Sequence, residues 1–184
     1  RAMNAGKVEA VAKELAVKVK DSLIEKNKLL VMGGDCMVEL GVVAGCLELS
    51  ENIGLIYIDL DTDLNTPQSV EDGALDWMGV AHMLGVPDTL RELVGIGPPA
   101  PLLRPDQLLY FAVDNIEPFE RELIRELGIE TVTLAQVAPE PARVAEKVVN
   151  GWARRFERVL IHLDVDVLDF ADMPLAENTR RNVG

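Results

Sequence analysis

Apolar residues at Val8, Val11, Ala12, Leu15, Ala16, Val19 and Leu23 recur at intervals of three and four, which predicts an amphipathic helix from about Ala5 to Glu25. The pattern then changes. The apolar run Lys28-Leu-Leu-Val-Met32 is stopped by Gly33-Gly34 and predicts a buried strand. Helical spacing returns over Met37 to Leu49, and Asn52-Ile-Gly-Leu-Ile-Tyr-Ile58 predicts a second strand running into the acidic stretch Asp59 to Asp63. Short helices follow at Trp77 to Leu84 and Asp88 to Val94, joined by the Pro-rich connection Gly97 to Pro105 to a strand at Leu108 to Val113. Pro118 suits the first turn of a helix that continues through Glu120 to Leu127 and stops at Gly128. Thr131 to Leu134 is strand-like, Pro141 to Phe156 helical, and Arg158 to Leu163 the last strand.

Five strand signals therefore alternate with helices, within a length that suits one domain over residues 1–184. Parallel neighbours need crossover connections and helices provide them, so the alternation predicts an α/β fold with a parallel sheet covered on both faces. Ligands in such sheets gather outside the carboxyl ends of the strands. The residues there are Gly33-Gly34-Asp35-Cys36, Asp59 to Asp63, Asp114, and Asp164-Val-Asp166.

Charge narrows the partners. The formal net charge is −13, with acidic residues spread along the chain, so phosphate backbones are repelled and nucleic acid is not expected. No apolar run approaches the roughly 20 residues of a membrane span, and no signal peptide is expected before the first helix. Cys36 and Cys46 form neither a disulfide framework nor a zinc knuckle, and a reducing cytoplasm is the expected compartment.

Alternate residues of an extended segment point the same way, so Asp59, Asp61 and Asp63 converge if the backbone stays extended, as do Asp164 and Asp166. Two carboxylates about 4 Å apart repel by about 4 kcal/mol at an effective dielectric near ~20, so a cluster of five needs protons or cations. Asp is common where strands turn into loops, and either acidic run alone reads as well that way. Two runs at equivalent strand ends favour divalent metal, and oxygen donors suit manganese or magnesium better than zinc.

At these residues the chain resembles the arginase, agmatinase and formiminoglutamase (ureohydrolase) family. That family shares the blocks Gly-Gly-Asp-His, Asp-Ala-His-x-Asp and Ser-x-Asp-x-Asp-x-x-Asp-Pro. Here they stand as Gly33-Gly34-Asp35-Cys36, Asp59-Leu60-Asp61-Thr62-Asp63 and His162-Leu163-Asp164-Val165-Asp166-Val167-Leu168-Asp169-Phe170. Leu64-Asn65-Thr66-Pro67 and Gly73-Ala-Leu-Asp76-Trp-Met-Gly79 are similar to the family's intervening segments, and Glu117-Pro-Phe-Glu120 to its segment for the substrate's amino end. The resemblance runs from about Asn4 to Asp169.

The resemblance implies a three-layer α/β/α sandwich with a mainly parallel sheet, here incomplete at both ends. It also implies a binuclear site with two divalent cations, manganese being the expected ion. An activated hydroxide there hydrolyses a linear C–N bond of a small cationic guanidino or amidino substrate. By position, Asp59 and Asp164 bridge the metals, Asp63 and Cys36 complete one ion, and Asp61 and Asp166 the other. Asn65 and Glu117 fall at substrate-binding positions, Asp76 at the catalytic proton-transfer position, and a homo-oligomer is expected.

Departures from the family pattern leave alternatives. The metal-binding histidines are replaced by Cys36 and Asp61, and the proton-transfer histidine by Asp76. Cys36 reads as a thiolate ligand or as a small buried hydrophobe, and Asp76 as a proton shuttle or as a holder of a cationic substrate. A catalytically inactive arginase-like binding or regulatory protein is the alternative function. His82 reads as a packed helical residue, and His162, at the family's serine position, as support for the site from behind the ligands. Trp77 and Trp152 read as packing residues, and Arg180-Arg181 as surface. A dinucleotide site is disfavoured, because Met32-Gly-Gly-Asp lacks the spaced glycines that admit a pyrophosphate.

Overall fold

A computed structural model describes residues 4–70, 73–169, 171, 173 and 174 of the chain. Phe170 and Arg180-Arg181 lie outside the described residues. Two compact units are distinguished: one comprises Arg1–Ile53 and Asp63–Pro105, the other Gly54–Thr62 and Asp106–Gly184.

The first unit is helical. α1 (Ala5–Ile24) and α2 (Val38–Leu47) match the predicted helical spacing to within two residues at each end. They pack through small residues. A Cβ on Gly41 would stand 2.6 Å from the Ala12 carbonyl oxygen, and one on Gly45 2.5 Å from that of Ala16. Two glycines one helical turn apart thus let α2 lie against the α1 backbone, and α2 is buried along nearly its whole length. A 3-10 turn (Asp76–Met78), α3 (Gly79–Leu84) and the short α4 (Arg91–Val94) complete the unit.

The predicted strand at Lys28 to Met32 is not formed. Residues 27–33 have no regular structure, and Leu30 and Met32 are 84% and 88% exposed. An apolar run is half of a strand signal and a hydrogen-bonded neighbour is the other half. Among the described residues no strand pairs with this run.

The second unit carries a four-stranded parallel sheet in the order β3-β2-β1-β4, with flanking helices. Its strands are β1 (Ile53–Ile58), β2 (Leu108–Val113), β3 (Glu130–Thr133) and β4 (Arg158–Leu163). β2 is buried throughout, as its unbroken apolar run requires. α5 (Pro118–Leu127) starts on proline and ends at Gly128, whose φ of 67° is the left-handed conformation that a glycine cap adopts without strain. α6 (Leu134–Val137) was not foreseen, and α7 (Pro141–Arg155) ends one residue before the predicted Phe156, which is extended.

The core of this unit sets Ile56, Leu109 and Phe111 of the sheet against Val137, Trp152 and Phe156, with Val144, Ala145 and Val148 of α7 beside them. Residues 144, 145, 148 and 152 lie on one helix face, which is why α7 seats on the strands. Contact is closest at Gly54, where a Cβ would stand 2.4 Å from Phe156 Cδ2 and 2.7 Å from Trp152 Cε3. Across the opposite face runs a row of rings: Tyr110 meets Tyr57 edge-on at 6.1 Å, and Tyr57 stacks on His162.

Candidate metal centre

The carboxyl ends of β1 and β4 hold the site. β1 delivers Asp59, 2% exposed, and the Asp164 N–H donates to the Ile58 carbonyl (2.9 Å), which fastens the end of β4 beside it. Beyond these residues neither strand stays extended, and the convergence arises differently from the sequence expectation. The Asp61 N–H donates to Asp59 Oδ1 at 2.8 Å, and the Asp166 N–H donates to Asp164 Oδ1 at 2.9 Å. Each Asp-x-Asp is thus a tight turn in which the first carboxylate holds the backbone of the second, and Val165–Val167 forms a 3-10 turn. The Leu60 N–H, 3.4 Å from Asp166 Oδ1, links the two turns.

Carboxylate oxygens of Asp59, Asp61 and Asp166 come within 4.8 Å of one another. One oxygen each of Asp59 and Asp164 and a ring nitrogen of His162 do likewise. Asp59 belongs to both sets. Burial, with the charges of Asp59, Asp164 and Asp61 adding to it, pushes the Asp166 carboxyl up to about 7. Burial also raises Asp59, and the Asp164 charge adds to that, while His162 and the Asp61 N–H oppose it. Carboxyl groups held this close, with the titration of Asp59 and Asp166 displaced upward, are a donor set that a hard divalent cation neutralises, so the residues fit a metal of the manganese or magnesium kind.

Sequence reasoning missed Asn115. Its side-chain amide donates to Asp61 Oδ1 in a short hydrogen bond. β2 carries an irregularity between Phe111 and Val113, with Ala112 at φ 70°, and the N–H groups of Asp114 and Asn115 then both donate to the Leu60 carbonyl (3.1 and 2.9 Å). The bulge re-aims the strand end so that Asn115 supports Asp61 while Asp114 faces outward, exposed. The available signal was position: Asn115 lies just past the carboxyl end of β2, where Asp114 had drawn attention.

Cys36, Asp63, Asn65 and Asp76 belong to the helical unit. Cys36 is buried before α2, and its carbonyl accepts from the Glu39 N–H at 3.2 Å. Asp63, 4% exposed and at φ 51°, accepts the Ala81 N–H on its carbonyl (3.0 Å). A Cβ on Gly79 would lie 3.3 Å from the Cys36 carbonyl oxygen and 3.7 Å from Asp63 Oδ2, so both residues border that glycine. The Asn65 N–H donates to the Trp77 carbonyl (3.0 Å), and its Oδ1 accepts from Ser69 (2.9 Å). Asp76, half-buried, opens the 3-10 turn before α3. In the sheet unit, Glu117 caps α5: its side chain accepts from the helix backbone while its own N–H donates to Glu120 at 2.9 Å. His82 is packed as expected, fully buried, with Nδ1 2.7 Å from the Met78 carbonyl oxygen and Nε2 accepting from the Leu90 N–H at 3.1 Å.

These features coincide with comparisons to known proteins. The sequence model of the Arginase family matches residues 2–176. An arginase of Bacillus caldovelox is 30% identical over 170 residues, covering 91% of this chain and 56% of that relative. An arginase of Bacillus subtilis is likewise 30% identical over 172 residues, 93% of this chain and 57% of the relative. The native B. caldovelox arginase structure superposes with a TM-score of 0.87 over 95% of this chain and 58% of its own. A formimidoylglutamase from B. subtilis, at 12% identity and a TM-score of 0.69, shares the fold. The chain spans a little over half the length of these arginases. Motif order, carboxylate convergence and a family match over nearly its whole length place this chain in the arginase family.

Proposed function

We propose that this chain carries the metal-binding residues of a hydrolase that cleaves a linear C–N bond in a small cationic guanidino or amidino compound, using two divalent cations, manganese foremost. The observation that carries it is the meeting of Asp59, Asp61 and Asp166 oxygens within 4.8 Å at two adjacent strand ends. Divalent cations bound there supply Lewis acidity, which lowers the pKa of water and stabilises developing negative charge.

Asp59, common to both groups of donors, is suited to bridging, with Asp164 as its partner. Asp61 and Asp166 would complete one ion, and Asp63 and Cys36 the other. Asn115 holds Asp61 in orientation. Asp76 would take or give a proton or hold the cationic substrate, and Asn65 and Glu117 would contact it, Glu117 while also capping α5. The acidic surround favours a cation over an anion as substrate.

The test is metal analysis of the full-length protein together with release of urea or ammonia from a panel of guanidino and amidino compounds. About two manganese ions per chain, and turnover lost in Asp164→Ala, are expected. Bound metal without turnover on any compound favours the second reading, a non-catalytic binding or regulatory protein, which Asp76 in place of the expected histidine supports. Absence of stoichiometric metal defeats both the hydrolase reading and its cation site.

A further inference from the structure

Resting on that metal reading, we infer that His162 supplies an imidazole nitrogen directly to the metal centre, as a ligand contributed by β4 two residues ahead of Asp164. Residues i and i+2 of a strand share a face, so the strand that delivers the carboxylate also turns the ring toward it. His162 is 9% exposed, while its neighbours Ile161 and Leu163 point outward at 59% and 56%.

The spacing of the donors is compatible with one ion held between them. Nε2 of His162 pairs with Asp59 Oδ2 at 3.7 Å, which sets the ring nitrogen beside the carboxylate. Two donors that each lie about 2.1 Å from one cation are separated by about 3 Å at a right angle and about 4.2 Å across it, and the observed spacing falls between. A ring nitrogen of His162 and one oxygen each of Asp59 and Asp164 lie within 4.8 Å of one another, so donors of two chemical kinds are close enough to share an ion. Tyr57 fixes the ring plane, with centroids 4.0 Å apart and planes 3° from parallel, and thereby reduces the freedom lost on binding.

A nitrogen donor has a consequence that carboxylates lack. Imidazole suits iron, nickel, copper and zinc, so His162 would shift an oxygen-rich site away from magnesium and toward transition metals. The other histidine of these 184 residues, His82, has both ring nitrogens engaged with the backbone of its own helical unit.

The experiment is electron spin-echo spectroscopy of the full-length protein loaded with Mn2+ alone, using natural and 15N-histidine-labelled material. A histidine nitrogen coupling that changes isotope with the label is expected. In His162→Ser the coupling should vanish and Mn2+ affinity should fall about tenfold or more, with Mg2+ affinity less affected. Bound Mn2+ without a histidine coupling in the wild type overturns the inference while leaving the metal reading intact, as does a coupling that survives in His162→Ser. If no Mn2+ binds, the metal reading itself fails and this inference with it. Should His162→Ser not fold, judged by circular dichroism, His162→Asn takes its place: loss of the labelled histidine coupling supports the inference, and a coupling that persists overturns it.

Discussion

Tyr57 lies flat against the imidazole of His162, at 4.0 Å between centroids, and is itself met edge-on by Tyr110. The row ties β2, β1 and β4 together directly beneath the carboxylates, since Tyr57 precedes Asp59 by two residues and Tyr110 donates its hydroxyl to the Thr62 carbonyl at 2.6 Å. Tyr57→Leu should therefore lower both stability and metal affinity, although Tyr57 offers the metal no ligand. A loss of about 2 to 4 kcal/mol in urea denaturation is expected from the buried aromatic volume and stacking. An unchanged Mn2+ titration in a folded Tyr57→Leu protein would uncouple the row from the site.

Asp166 gives the metal-free protein a pH dependence of definite sign. Its carboxyl is raised from the ordinary 3.8 to about 7 by burial and by neighbouring carboxylates, so between those values the folded state holds a proton that the unfolded chain has released. Stability from this group is therefore complete at the acid end of that window and declines as pH rises through about 7. The decline should be visible in melting curves of metal-free protein as the difference between wild type and Asp166→Asn. Mn2+ binding near about pH 6 should release about one proton, and fewer near about pH 8, by calorimetry in buffers of different ionisation enthalpy.

Asn115→Ala should weaken metal binding by about tenfold, because Asp61 loses the amide that holds it, and second-layer hydrogen bonds of this kind typically carry that much. Asn115→Asp should be worse, since a further carboxylate against Asp61 adds repulsion in place of a donor. Equal affinities for wild type and both variants by calorimetric titration would show that Asp61 needs no support.

Gly54→Ala tests the sheet independently of the chemistry. The new methyl group would meet Phe156 and Trp152 well inside contact distance, so these rings must shift, at a cost of about 1 to 3 kcal/mol. Urea denaturation should record that loss while metal stoichiometry stays at the wild-type value.

Much of this architecture was legible in the chain because the signals were local. Leu108 to Val113 and Arg158 to Leu163 coincide with β2 and β4, and Gly128 ends α5 where a glycine cap was expected. The run at residues 28–32 misled because its apolarity is local while strand pairing depends on a distant neighbour. The acidic pairs were legible as a cation site, but the reason for their convergence was not. Periodicity assumed extended backbone, whereas Asp59 and Asp164 each bend the chain by capturing the N–H two residues on. Asn115 escaped notice because its role depends on a bulge at Ala112 whose positive φ no residue type in that strand announces.

Those two captured N–H groups also bear on ion selectivity. Asp59 and Asp164 each use Oδ1 to accept a backbone N–H. Calcium takes about six to eight oxygens and commonly claims both atoms of a carboxylate, whereas smaller ions accept fewer donors in stricter geometry. Under the proposed metal reading, two carboxylates whose Oδ1 atoms already serve the backbone would wrap a large, loosely coordinated cation less readily than a compact one.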